Sequence, residues 1–205
     1  MYKLRFPEDI DIQKIRSTEM YHFYFKRFGA EFPEYLIDKH LFSSFSHNVA
    51  NSIAVCDIMS EQLGARLMKE LVINSSTKIL SYNPTNLSEN IKNLYEYFGQ
   101  RSSQKIILSE SGSILNVDYE NAKAVLFFLE KHLSIWEMQR ILFRSYGRII
   151  GWDAECIEKS YNLLSINIGN KLTNNVIIKS RGIVLIMHKD LSVMDKFNTP
   201  FLRRE

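Results

Sequence analysis

Cysteine is nearly absent from this chain. Its 205 residues include two, Cys56 and Cys156, too few for a disulfide framework or a four-cysteine metal site. Glycine (8) and proline (4) are scarce, which leaves few helix breakers and leads us to expect long helices. The longest apolar runs, Ala124 to Leu129 and Ile183 to Met187, are six and five residues, against about twenty for a membrane-crossing helix. No sign of charge dominates: 26 Lys and Arg face 23 Asp and Glu, a net charge of +3. GxxxxGK[ST], GxGxxG, HExxH, CxxC and GxSxG are all missing, so neither a phosphate cradle, a dinucleotide fingerprint nor a zinc-protease or nucleophile-elbow signature is available. The five histidines (His22, His40, His47, His132, His188) lie far apart, and none has metal-ligand spacing to another. The expectation is no metal, no cofactor and a function that leans away from catalysis. The opening MYKLRFPEDIDI is not a secretory or transit leader, so no membrane span and a cytoplasmic location are expected. No Gly/Ser/Pro linker divides the chain, and no repeat period stands out.

What is present is a core. Hydrophobic residues are 45% of the chain, enough buried surface to repay the ordering entropy of a folded domain. The chain reads as a single domain, 1–205, with an N-terminal helical subdomain over 1–84 and an α+β part over 85–205. A first helix is predicted from Asp9 or Asp11 to Phe28, and a short one from Pro33 to Leu41. Another begins near Ser43 or Ser44 and buries Phe45, Val49, Ile53, Cys56, Met59 and Leu63. Asn86-Leu-Ser-Glu89 resembles a capping box for a helix ending at Gly99. Two helices over 121–133 and 135–150 meet at Ser134, and one more runs from Trp152-Asp153 to Gly169. Lys105-Ile-Ile-Leu-Ser and Ile114-Leu-Asn-Val, on either side of Gly112, read as a β-hairpin. Val176-Ile-Ile and Ile183 to Met187, around Gly182, read as a second. The predicted class is therefore α+β: mostly helical, with two β-hairpins forming a small antiparallel sheet packed on helices.

The sharpest local pattern is Ser46-His47-Asn48-Val49-Ala50-Asn51 leading into an amphipathic stretch. A histidine at a helix start, with asparagine four residues on, resembles the phosphoacceptor helix of two-component sensor kinases. That resemblance implies His47 as the phosphoacceptor and Asn51 as its positioning neighbour, with the imidazole exposed opposite the apolar stripe. Asn48 stands where that family carries an acidic residue, and no nucleotide-binding boxes follow.

Arg140, Arg144 and Arg148 fall at i, i+4 and i+8 on the helix from Ile135. They form a basic stripe suited to phosphates or an acidic partner, because guanidinium forks match oxyanions. Glu137 and Trp136 lie one turn before Arg140, placed for a local ion pair and a cation–π contact. From Lys171 onward seven basic residues (Lys171, Lys179, Arg181, Lys189, Lys196, Arg203, Arg204) face three acidic ones. The segment 21–28 is dense in aromatics, and Tyr21, Phe25 and Phe28 are the candidate interface. Asp118/Glu120 and Asp153/Glu155 read as helix-start or turn residues, and Cys56 as a buried, inert thiol. Glycines at 147 and 151 read as helix packing or a helix end.

These features point first to a non-enzymatic binding or regulatory domain acting through protein–protein contacts, as a dimer or as a subunit of a larger assembly. A histidine phosphotransfer protein using His47 is one alternative. A nucleic-acid-associated protein using the arginine-striped helix is the other.

Overall fold

The structure, a computed structural model, describes residues 11–109, 111–145, 148–180 and 182–185. These form ten α-helices and five 3-10 helices, with no strand among the described residues. The α+β class, its small antiparallel sheet and the α+β part over 85–205 are thereby overturned. The residues gather into two compact units that divide between Pro84 and Thr85.

The first unit contains α1 (Ile12–Arg16), α2 (Glu19–Phe28), α3 (Glu31–Asp38), the 3-10 helix η1 (Phe42–Ser46), α4 (Val49–Leu63), α5 (Ala65–Asn74) and η2 (Lys78–Ser81). The second contains α6 (Pro84–Ser109), η3 (Ser113–Asn116), α7 (Tyr119–His132), α8 (Ile135–Ser145), η4 (Arg148–Gly151), α9 (Ala154–Ile168), α10 (Asn170–Lys179) and η5 (Ile183–Leu185). Non-helical dihedrals at Gly99 (φ 69°, ψ 163°) break α6 into two limbs.

A repeat governs this order, contrary to the expectation of none. Long helices begin at Val49, Pro84, Tyr119 and Ala154, and 3-10 helices at Lys78, Ser113, Arg148 and Ile183. Each step is 35 residues. Every repeat is a first helix, a second helix and a 3-10 turn; its two helices pack on each other, and a neighbouring repeat is needed to cover the apolar face that remains. In the second unit α7 lies against α9, α8 against α10, and η3 against η4. Equivalent positions supply equivalent core residues: Leu94, Leu129 and Leu164 on the first helices, Ile107, Leu142 and Ile177 on the second, and Leu115, Ile150 and Leu185 on the 3-10 turns are all buried.

Local chemistry sets the joints. The first and second helices meet at Gly29, Gly64, Gly99 and Gly169, all with positive φ and extended ψ, a region that only glycine enters without strain. The fourth joint carries Ser134 instead, and there a capping box takes over. The Ser134 N–H and hydroxyl donate to Glu137 Oε2 (2.8 and 2.9 Å), and the Glu137 N–H donates back to Ser134 Oγ (3.4 Å).

The second helices end in one motif. Leu41, Thr77, Gly112 and Gly182 donate backbone N–H bonds of 2.8–2.9 Å to the carbonyls of Leu36, Val72, Ile107 and Ile177, five residues back, as in a Schellman turn. Both expected hairpins lie on this motif. Lys105 to Ser109 belong to α6 and Ser113 to Asn116 to η3, while Val176 to Ile178 belong to α10 and Ile183 to Leu185 to η5; Ile186 and Met187 lie outside the described residues. A short apolar pair on either side of a glycine satisfies a hairpin and a helix–turn–3-10 unit equally at the level of pattern.

Asparagine and aspartate then start the next repeat. Asn48, Asp118 and Asp153 cap α4, α7 and α9, each side chain accepting an N–H at 2.9 Å. The α4 helix therefore begins at Val49, five or six residues later than the expected Ser44 or Ser43, after η1. Pro84 opens α6, two residues ahead of the expected Asn86 cap, at the position where its missing N–H costs nothing. The expected first helix is broken at Ser17–Thr18 into α1 and α2.

A second set of asparagines clamps the repeat. Asn51 Nδ2 donates to the carbonyls of Leu80 (2.8 Å) and Tyr82 (3.1 Å). Asn121 Nδ2 donates to those of Ile150 (3.2 Å) and Trp152 (2.8 Å), in each case 70 residues, or two repeats, further along. In the intervening repeat Asn90, one turn further into α6, serves the carbonyls of Leu115 (3.5 Å) and Val117 (2.8 Å). Asn121 Oδ1 also accepts from Ala154 N (3.1 Å), tying α7 to the start of α9.

Candidate functional site

The second helices of the unit 85–185 present one repeated outward stripe. On α6 it is Arg101, Lys105 and Ser109; on α8, Trp136, Arg140 and Arg144; on α10, Lys171, Asn175 and Lys179. All nine are exposed, while Ile107, Leu142 and Ile177 on the same helices are buried. Six of the nine are cations and none is acidic. The i, i+4, i+8 spacing holds one face of each helix outward, and the contact of α8 with α10 sets two of the stripes on neighbouring helices.

The only carboxylate on the second limb of α6 (100–109), α8 and α10 is Glu137, and it is occupied in the capping box with Ser134. It does not pair with Arg140, as the sequence spacing suggested. Among the described residues no ion pair or side-chain hydrogen bond reaches any of the six cations, and no cation–π contact joins Arg140 to Trp136. A hollow of about 440 Å³ lies over α8, lined by Trp136, Glu137, Gln139, Arg140, Phe143 and Arg144. Trp136 is 82% exposed.

The first unit does not share this character. Its equivalent stripes read Arg66, Glu70 and Asn74 on α5, and Glu31, Tyr35 and Lys39 around α3, with Lys39 lying over the Tyr35 ring at 5.9 Å. The basic face is a property of one unit, not of the repeat.

The three expected arginines are divided by the fold. Arg140 and Arg144 share the outward face of α8, whereas Arg148 is on η4, exposed. Of the basic C-terminal residues, Lys171 and Lys179 lie on α10; Arg181, Lys189, Lys196, Arg203 and Arg204 lie outside the described residues. Helical spacing within the chain does not single out Arg101 and Lys105, although a 35-residue offset carries Arg140 onto Lys105, and Lys171 is two offsets from Arg101. Tyr146 and Gly147 also lie outside the described residues, and Gly151 belongs to η4.

His47 does not sit on a helix. It follows η1 with extended dihedrals (φ −65°, ψ 151°), is half-buried, and its Nε2 lies 3.3 Å from Thr77 Oγ1. Burial holds its imidazole below the ordinary histidine pKa. Thr77 in turn donates to Ser44 Oγ (2.6 Å), and the buried Tyr24 donates to Ser44 O (2.9 Å). Thr77 has φ +68°, costly for a β-branched side chain, at the position where Gly112 and Gly182 stand in later repeats. Asn51, the expected positioning neighbour, is committed to the Leu80 and Tyr82 carbonyls. The pair thus ties the segment after η1, the start of α4 and η2 together, with the imidazole half-buried.

Of the expected interface aromatics, Tyr21 donates to Glu34 Oε1 (2.7 Å) and stacks on Phe45, and Phe28 packs on Phe32 with ring centroids 4.8 Å apart. Phe25 is exposed. Cys56 is buried with its thiol pKa pushed up to about 12 by burial, and Cys156 is exposed. No group of three or more metal-capable side chains occurs among the described residues, and no helix among them is long and apolar enough to cross a membrane.

No family model, no curated protein and no solved structure matches this chain.

Proposed function

We propose that this chain is a non-enzymatic binding protein whose unit 85–185 holds a polyanion, the phosphate backbone of a nucleic acid, along its second helices. The observation that carries the reading is the nine-position outward stripe with six unpaired cations and no carboxylate, repeated at a 35-residue period. Like charges gathered on one face repel each other and raise the local potential, an arrangement that favours an anionic ligand. A charge repeated at equivalent positions of stacked helices matches a polymer of regularly spaced charge better than a single acidic side chain, and stacked repeats offer extended surfaces for such ligands. Arginine's planar fork suits phosphate oxygens in particular.

The test is fluorescence anisotropy with labelled oligonucleotides over a salt series. If all six cations meet phosphates of a single strand, log K falls against log[salt] with a slope of about −4, and replacing two of them flattens it by about 1.4. Arg140→Gln with Arg144→Gln is expected to weaken binding to a similar degree for every sequence tried. Binding that ignores salt, or that survives this double replacement unchanged, overturns the reading.

A further inference from the structure

We propose that Trp136 is a stacking platform for an unpaired base, and that the ligand of this face is therefore a single-stranded polynucleotide. The inference rests on the polyanion reading above and deepens it. Where α6 and α10 carry Arg101 and Lys171 at the first stripe position, α8 carries a tryptophan, flanked one and two turns on by Arg140 and Arg144. That tryptophan is 82% exposed. Among the described residues its indole has no ring partner and no cation over it.

Leaving the largest apolar side chain in water forgoes the burial that elsewhere orders this chain's aromatics. An occupant that covers it must be planar, apolar on its faces and able to coexist with two guanidinium groups in the same hollow. A nucleobase attached to a phosphate backbone meets all three conditions: the base stacks on the indole while the flanking phosphates meet Arg140 and Arg144. Gln139, lining the same hollow, offers an amide donor and acceptor to a base edge. A duplex keeps its base faces stacked within the helix, so it reaches the cations but not the indole.

The experiment uses the full chain carrying Trp152→Phe, which leaves Trp136 as its one tryptophan, and circular dichroism to verify each variant's fold. The probes are an oligothymidylate and an oligouridylate of about 20 nucleotides, longer than one binding site, and a duplex of the same length. Both single strands are expected to quench the indole emission at saturation. Trp136→Ala is expected to weaken single-strand binding about ten-fold while changing duplex affinity less than about two-fold, with Trp136→Phe recovering part of the loss. Saturation without quenching overturns the stacking inference. So does single-strand affinity unchanged by Trp136→Ala, and if Arg140→Gln with Arg144→Gln still weakens binding then, the polyanion reading survives alone. Loss of affinity for both single strand and duplex in the fully folded Trp136→Ala protein refutes the single-strand assignment. Absence of binding to all three probes overturns both proposals.

Discussion

Replacing Asn121 by alanine tests whether the clamp between successive elements holds the unit 85–185 together. The side chain makes three hydrogen bonds: two donated to the carbonyls of Ile150 and Trp152, and one accepted from the N–H of Ala154. A neutral hydrogen bond contributes about 0.5–1.5 kcal/mol net, and a stranded buried partner costs more. Ile150 is 1% exposed, so water does not readily replace its lost donor. The expected loss is about 2–4 kcal/mol, which for a chain of this length lowers Tm by roughly 5–15 °C. Urea titration followed by far-UV circular dichroism gives the free energy, and a thermal scan gives Tm. Asn175→Ala is the control: that side chain is exposed on α10 with no partner among the described residues, and its replacement is expected to stay within about 0.5 kcal/mol. Asn121→Asp retains the acceptor but turns a carboxylate toward two carbonyl oxygens, so it is expected to be at least as damaging at neutral pH and less so once protonated in acid. An Asn121→Ala protein as stable as the Asn175→Ala control refutes the clamp.

Two further outcomes follow from the same geometry. Gly182→Ala is expected to destabilise by about 2–4 kcal/mol, because φ is +77° and the new Cβ would lie 2.8 Å from Ile149 Cδ1; adding Ile149→Val, which deletes that methyl, is expected to recover part of the loss, and strictly additive effects in a double-mutant cycle would disprove the contact. Burial lowers the pKa of both His47 and His132, the latter helped by Lys131. The unfolded chain therefore binds protons at these sites before the folded one does, so their contribution to stability falls as pH drops below the unfolded value near 6.5. His47→Gln and His132→Gln are each expected to reduce the stability difference between pH 7.5 and pH 5.5 measured by urea unfolding, and an unchanged difference would contradict the burial at that site.

Much of the local structure is legible in the residues themselves. Gly29, Gly64, Gly99 and Gly169 end helices where short-range chemistry says they should, Asp118 and Asp153 sit at helix starts, and the apolar spacing of Ile91, Leu94 and Phe98 marks the face that α6 buries. These signals act over one or two turns, within reach of a single capping side chain or one positive φ. The paired isoleucines at 106–107 and 177–178 are different. Their pattern is satisfied by a strand or by a buried helix, and only packing against neighbouring helices selects the helix. His47 illustrates the same limit from the other side: its neighbours resemble a helix start, but Thr77, thirty residues away, and the η1 turn remove it from the helix and half-bury it.

The repeat lay in the sequence at a fixed offset, yet its side chains vary too widely to display it. Leu94, Leu129 and Leu164 agree, but Ser103, Met138 and Thr173 occupy one equivalent core position with three different chemistries, because a stack asks only that each layer fill the space beside the next. What the sequence by itself determined is thus an apolar core and many of the helix caps and stops, since those depend on contacts a few residues apart, whereas the helical state of the two segments that read as hairpins came only from packing. The tertiary structure alone decided that these cations of α6, α8 and α10 face outward, because which side of a helix meets solvent is set by the neighbour that covers the other side.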